Sequence, residues 1–169
     1  MFRDAGIPPD LLNFPVARFF HSHRLMDSTL IALARSAAAA HSLDAALVCA
    51  VVEQESSWNA RAMRYEPFFR TRYVARLGLS PTEEIARSIS WGLMQVMGQV
   101  AREHGFDGRF LTALCDPETG LDIGCTVLAA KLASANGDAA RALQLWNGGA
   151  NPDYAAQVLD RVAKYRNAT

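Results

Sequence analysis

Apolar positions recur at helical spacing along most of this chain, and no segment shows sustained alternation of β-branched and polar residues. Asp27–Ala40 is rich in Ala and Leu, a composition with high helix propensity. After Ser42, which can cap the next helix, and Asp44, which falls in its first turn, an apolar run from Leu47 leads straight into Glu53, Gln54 and Glu55. Ser80-Pro81-Thr82-Glu83 combines a capping box with proline at the first helical position. Asp116-Pro117-Glu118 and Asn151-Pro152-Asp153 repeat the cap-proline-acid pattern before Leu121–Ala135 and Tyr154–Tyr165. Residues 1–25 read as an irregular arm carrying His21 and His23 in solvent, and the stretch from Arg61 to Leu79 as irregular or briefly helical. The pattern predicts one all-α domain over residues 1–169, with about seven or eight helices of unequal length.

The helix from Leu47 carries the first candidate chemistry. At about 100° per residue, Glu55 lies about 40° from Val51 and about 80° from Leu47, so it continues an apolar face. Partial burial and the negative end of the helix dipole both raise a carboxyl pKa, and protonating a glycosidic oxygen requires such a group. Glu53 lies about 160° around the same helix, on the side of Cys49 and Ala46. Periodicity does not choose between the two.

Composition narrows the function classes. Lys plus Arg and Asp plus Glu number 17 each, so there is no basic footprint for a nucleic-acid partner. No run approaches the ~20 apolar residues of a membrane span, and the first residues lack a signal-peptide pattern. The expectation is a monomer made as a soluble cytoplasmic protein. Cys49, Cys115 and Cys125 are an odd, irregularly spaced set, expected as free buried thiols and not as a Cys115–Cys125 disulfide. No metal-binding or nucleotide-binding motif occurs, so no metal or other cofactor is expected.

Four segments in order carry a resemblance. They are Glu55-Ser56 after its apolar helix, Gly92-Leu93-Met94-Gln95, Leu114–Leu128 with its Asp116-Pro117-Glu118-Thr119, and Trp146-Asn147-Gly148-Gly149. Together, over roughly residues 42 to 160, they resemble the lytic transglycosylase family with its lysozyme-like catalytic domain. The resemblance implies helices around a glycan-binding groove, peptidoglycan strands as the partner, and Glu55 as acid and base. Ser56 would orient or polarise the site, while Gln95 and the backbone of Gly92, Leu93 and Met94 would line the groove. The implied reaction cuts the β-1,4 bond between N-acetylmuramic acid and N-acetylglucosamine and closes a 1,6-anhydro ring without water. A protein made without a signal peptide would then reach the wall by release or export, as a phage lysis enzyme or as part of a secretion or tail machine.

Three departures from that pattern bear on the site. Trp146 stands where the family has tyrosine before Asn147, and an indole cannot accept a hydrogen bond. It is open to stacking on a sugar or to a core role, with a hydroxyl supplied instead by Tyr154, Tyr65 or Tyr73. Gly120 replaces an asparagine. The long gap before Gly92 holds Arg64-Tyr65-Glu66-Pro67-Phe68-Phe69, where Glu66 is open to two readings. Paired with Arg61 or Arg64, it is structural; facing the groove, it is a second carboxylate for an inverting muramidase, as in goose-type lysozymes. Tyr65, Trp146, Asn147 and Tyr154 are the remaining candidates for sugar contact, and Trp58 and Trp91 are either sugar platforms or core wedges. A chitin-cleaving relative and a non-catalytic glycan-binding module also stay open.

Overall fold

Helix α2 (Ala45–Ser56) is the hub of the protein, because every residue from Ala46 through Val52 is buried. The computed structural model describes residues 16–149 and 151–166, with side chains from Ser28 onward. Burying each Val or Leu of α2 contributes about 1.5–3 kcal/mol, so the run that precedes Glu55 fixes the helix firmly. It packs against α1 (Val16–Ala40) and most extensively against α8 (Tyr154–Arg166). Around this trio stand α4 (Pro81–Arg87), α5 (Gly98–Glu103), α6 (Pro117–Ser134) and α7 (Ala139–Trp146), with α6 reaching α1, α5 and α7. A single turn, α3 (Pro67–Phe69), runs into a π-helical segment at Arg70–Val74 and a 3-10 turn at Ala75–Leu77.

The fold is mostly helical, as expected, with eight α-helices among the described residues. Several local expectations are corrected. The arm foreseen over residues 1–25 becomes helix from Val16, since no proline or glycine interrupts residues 16–40. Residues 1–15 lie outside the described residues, as do the side chains of His21 and His23. Ser42 does not cap α2. It takes a left-handed conformation (φ 55°) that closes α1, with the Leu43 amide donating to the Ala38 carbonyl. Asp44 caps α2 instead, its Oδ1 accepting from the Ala46 amide.

A small antiparallel sheet was also unforeseen: β1 (Met63–Tyr65), β2 (Ile89–Trp91) and β3 (Val96–Met97), in the order β1-β2-β3. Strands this short cannot display an alternation that sequence can reveal. The caps at Ser80 and Asp116 stand where expected, with proline next in each case.

Gly92-Leu93-Met94-Gln95 is the turn between β2 and β3. Leu93 and Met94 are 1 % exposed, so their side chains belong to the core and not to a groove lining. The turn is seated by glycines. A Cβ on Gly92 (φ 70°) would stand 2.2 Å from the Leu114 carbonyl oxygen, and one on Gly120 2.4 Å from the same atom. A Cβ on Gly124 would meet Met94 Sδ at 2.3 Å. Gly120, the second departure in sequence, is therefore required by close packing. Cys49, Cys115 and Cys125 are free thiols, and burial pushes Cys49 up to about 11 and Cys125 up to about 12.

Candidate active site

Glu55 sits in the last turn of α2, just before Ser57 ends the helix in a left-handed conformation (φ 49°). Two side chains from distant segments converge on one of its oxygens. The Tyr154 hydroxyl, at the start of α8, donates to Glu55 Oε1 at 2.5 Å, and the Trp146 indole N–H, at the end of α7, donates to the same atom at 2.9 Å. Glu55 Oε2 takes no hydrogen bond among the described residues, and it is not one of the buried, unpartnered polar atoms.

The electrostatics follow from this arrangement. Burial raises the Glu55 pKa above the usual carboxylate range; the Tyr154 and Trp146 donors and the Arg64 charge oppose that rise without cancelling it. Burial next to the Glu55 carboxylate also pushes the Tyr154 hydroxyl far up, so it keeps its proton and donates it in the bond to Glu55. With Oε1 engaged by two donors, Oε2 is the oxygen left free to take up or release a proton. A carboxyl group with one fixed and one available oxygen, and a pKa raised by burial, is suited to giving up a proton and taking one back.

Glu53 has a different environment. Lys164 bonds both of its oxygens at 2.9 and 2.8 Å, and Tyr165 donates to Oε2. Desolvation alone would raise its pKa, but the bonds from Lys164 and Tyr165 and their neighbouring cations outweigh it, and the net direction is down. A group with a depressed pKa contributes stability above its unfolded value, here the ordinary 4.5, and loses it as pH falls through the folded value. Glu53→Gln is therefore expected to lower Tm at pH 7, with the deficit shrinking as pH falls from 4.5 through the depressed folded value, as melting curves across that range will show.

The other sequence candidates divide. Ser56 bonds back to the Val52 carbonyl at 3.1 Å, so its hydroxyl serves the helix end. Gln95 (φ 48°) uses its amide to hold the turn together, donating to the Ala62 and Gly92 carbonyls and accepting from Ser90 Oγ, while still lining the groove. Trp146 lines that groove too, beside Val96, Met97, Val100 and Val127. Asn147 caps α7 and donates to the Asn151 carbonyl. Tyr154 is 5 % exposed and bonds Glu55, so it holds that carboxyl in place and presents no open face to a sugar.

Glu66 pairs with Arg64 and leads into α3, and it is not among the groups bonded to Glu55. Tyr65 is exposed on β1, and Tyr73 packs on Phe69. Trp58 donates to the Tyr165 hydroxyl and Trp91, buried, to the Ala86 carbonyl; both are structural. Sequence reading missed Arg64 as a charge acting on Glu55, and Lys131 on the groove wall.

A family model described as the transglycosylase SLT domain matches residues 32–167, a span that contains every side chain meeting Glu55. Comparison with curated proteins and with solved structures gives no match.

Proposed function

This chain belongs to the transglycosylase SLT domain family, enzymes that act on peptidoglycan, and from that premise we propose that Glu55 is its single catalytic acid and base. The observation that carries the proposal is the Glu55 carboxyl with Oε1 held by Tyr154 and Trp146 and Oε2 unbonded. In the first step, protonated Glu55 gives its proton to the oxygen linking N-acetylmuramic acid to N-acetylglucosamine. The bond from the muramyl C1 to that oxygen breaks, and N-acetylglucosamine leaves with the proton. In the second step the Glu55 carboxylate takes the proton from the muramyl 6-hydroxyl as O6 bonds to C1. Glu55 is then protonated again, and the product is a 1,6-anhydro sugar. Tyr154 and Trp146 stabilise the carboxylate that exists between the two steps, when negative charge on Oε1 is greatest. The glycan lies in the wall, which the protein reaches by release or export.

A hydrolytic reading needs a second carboxylate to activate water. Glu66 is its candidate, and the ion pair with Arg64 gives it a structural part instead. Mass spectrometry of digested peptidoglycan tests the choice. Anhydromuramic ends are expected; reducing muramic ends would replace this mechanism with hydrolysis.

Tyr154→Phe probes the positioning of the acid. It removes one of the two donors that oppose the upward effect of burial, so the Glu55 pKa rises further. Activity that requires protonated Glu55 falls as pH rises through that pKa, so the alkaline limb of the kcat profile is expected to move to higher pH. The plateau is expected to drop about tenfold, reflecting one lost charge-assisted hydrogen bond in the transition state. A limb that moved to lower pH would contradict the arrangement.

A further inference from the structure

The chain has two lysines, and they are used differently. Lys164 is taken up by Glu53. Lys131 stands in the last turn of α6, one turn beyond Val127, and both line the groove that includes Trp146. It makes no ion pair among the described residues, although it is partly buried. It is also the one charged side chain among the groove-lining residues; the others are Gln95, Trp146 and apolar residues. The negative end of α6 eases the placement of a cation there, but a partly desolvated, unpaired ammonium still gains most from an anion entering the groove. Through its indole N–H, Trp146 ties this groove to Glu55.

We infer that Lys131 is a specificity-determining residue that takes a carboxylate carried by the muramyl sugar's lactyl substituent. The inference rests on the proposed glycan cleavage and deepens it. A neutral N-acetylglucosamine polymer offers an ammonium only hydroxyl and amide oxygens, which water supplies equally well, and no opposite charge. The muramyl sugar differs from it by a lactyl ether that bears a carboxylate, either its own or those of an attached peptide stem. A compact ammonium on a flexible stem meets a single carboxylate as a point charge.

Calorimetric titration in a Glu55→Gln background, where turnover is strongly suppressed, provides the test. The ligands are chitotetraose, a peptide-free tetrasaccharide of alternating N-acetylglucosamine and N-acetylmuramic acid, and the same tetrasaccharide carrying peptide stems. Adding Lys131→Met is expected to weaken a carboxylate-bearing ligand about fivefold at low salt, leave chitotetraose unchanged, and lose its effect at high salt. Lys131→Arg should retain most of the preference. Loss confined to the peptide-free ligand assigns the lactyl carboxylate, and loss confined to the peptide-bearing one assigns the stem. Affinities that Lys131→Met leaves unchanged for all three ligands, or lowers equally for all three, would overturn the inference while leaving glycan binding intact. Binding of none of the three would remove the glycan reading and the inference with it.

Discussion

Glu55→Gln is expected to reduce release of peptidoglycan fragments by about a thousandfold, the scale of a lost general acid, while the protein stays folded. Glutamine keeps an Oε1 that can accept from both Tyr154 and Trp146. What disappears is the proton on Oε2 and the base formed when it leaves. The stability effect has a definite sign. A carboxyl whose folded pKa lies above its unfolded value costs stability once pH rises past that unfolded value, here the ordinary 4.5. The neutral glutamine removes that cost, so Tm at pH 7 is expected to be unchanged or higher. Activity assays beside melting curves check both halves. Loss of activity accompanied by a large fall in Tm would mean that the residue supports the fold and not the chemistry.

Gly92→Ala carries the largest expected stability effect. Its φ of 70° costs an L-residue about 1–2 kcal/mol, and the new Cβ would overlap a backbone carbonyl that has no rotamer to escape into. Together these amount to about 3 kcal/mol, which corresponds to a fall in Tm of roughly 6–12 °C for a domain of this size. Gly78 supplies the control: its φ is 67°, but a Cβ there would find no atom within 4 Å. Gly78→Ala is expected to cost only the backbone part, about 1 kcal/mol. Equal losses from the two substitutions would show that close packing of the β2–β3 turn on Leu114 contributes little.

The helical class and most caps were legible because they rest on local rules, such as Asp116 accepting from the Thr119 amide three residues on. Glu55 was legible as a candidate but not as the choice over Glu53. Both end a buried run, and what separates them arrives from far along the chain: Trp146 and Tyr154 on one side, Lys164 and Tyr165 on the other. No period within α2 carries that information.

The motif at Gly92-Leu93-Met94-Gln95 was visible, and the structure adds what its side chains do. Leu93 and Met94 are apolar and go to the core, while the glycine at 92 and the amide at 95 shape the turn. The missing tyrosine at position 146 has a physical answer too. Trp146 supplies an indole N–H and Tyr154, at the start of the next helix, supplies the hydroxyl, so the carboxylate has two donors from two helices. Strands of two or three residues left no sequence trace.

Titration of the side-chain carboxyl carbons of Glu53 and Glu55 by carbon-13 NMR, in the free protein, reads the central claim most directly. The expected result is Glu55 titrating above the ordinary carboxylate value and Glu53 below it, with only Glu55 moving further upward in Tyr154→Phe. Glu55 titrating at or below the ordinary value, or Glu53 titrating above it, would contradict the assignment of Glu55 as the acid.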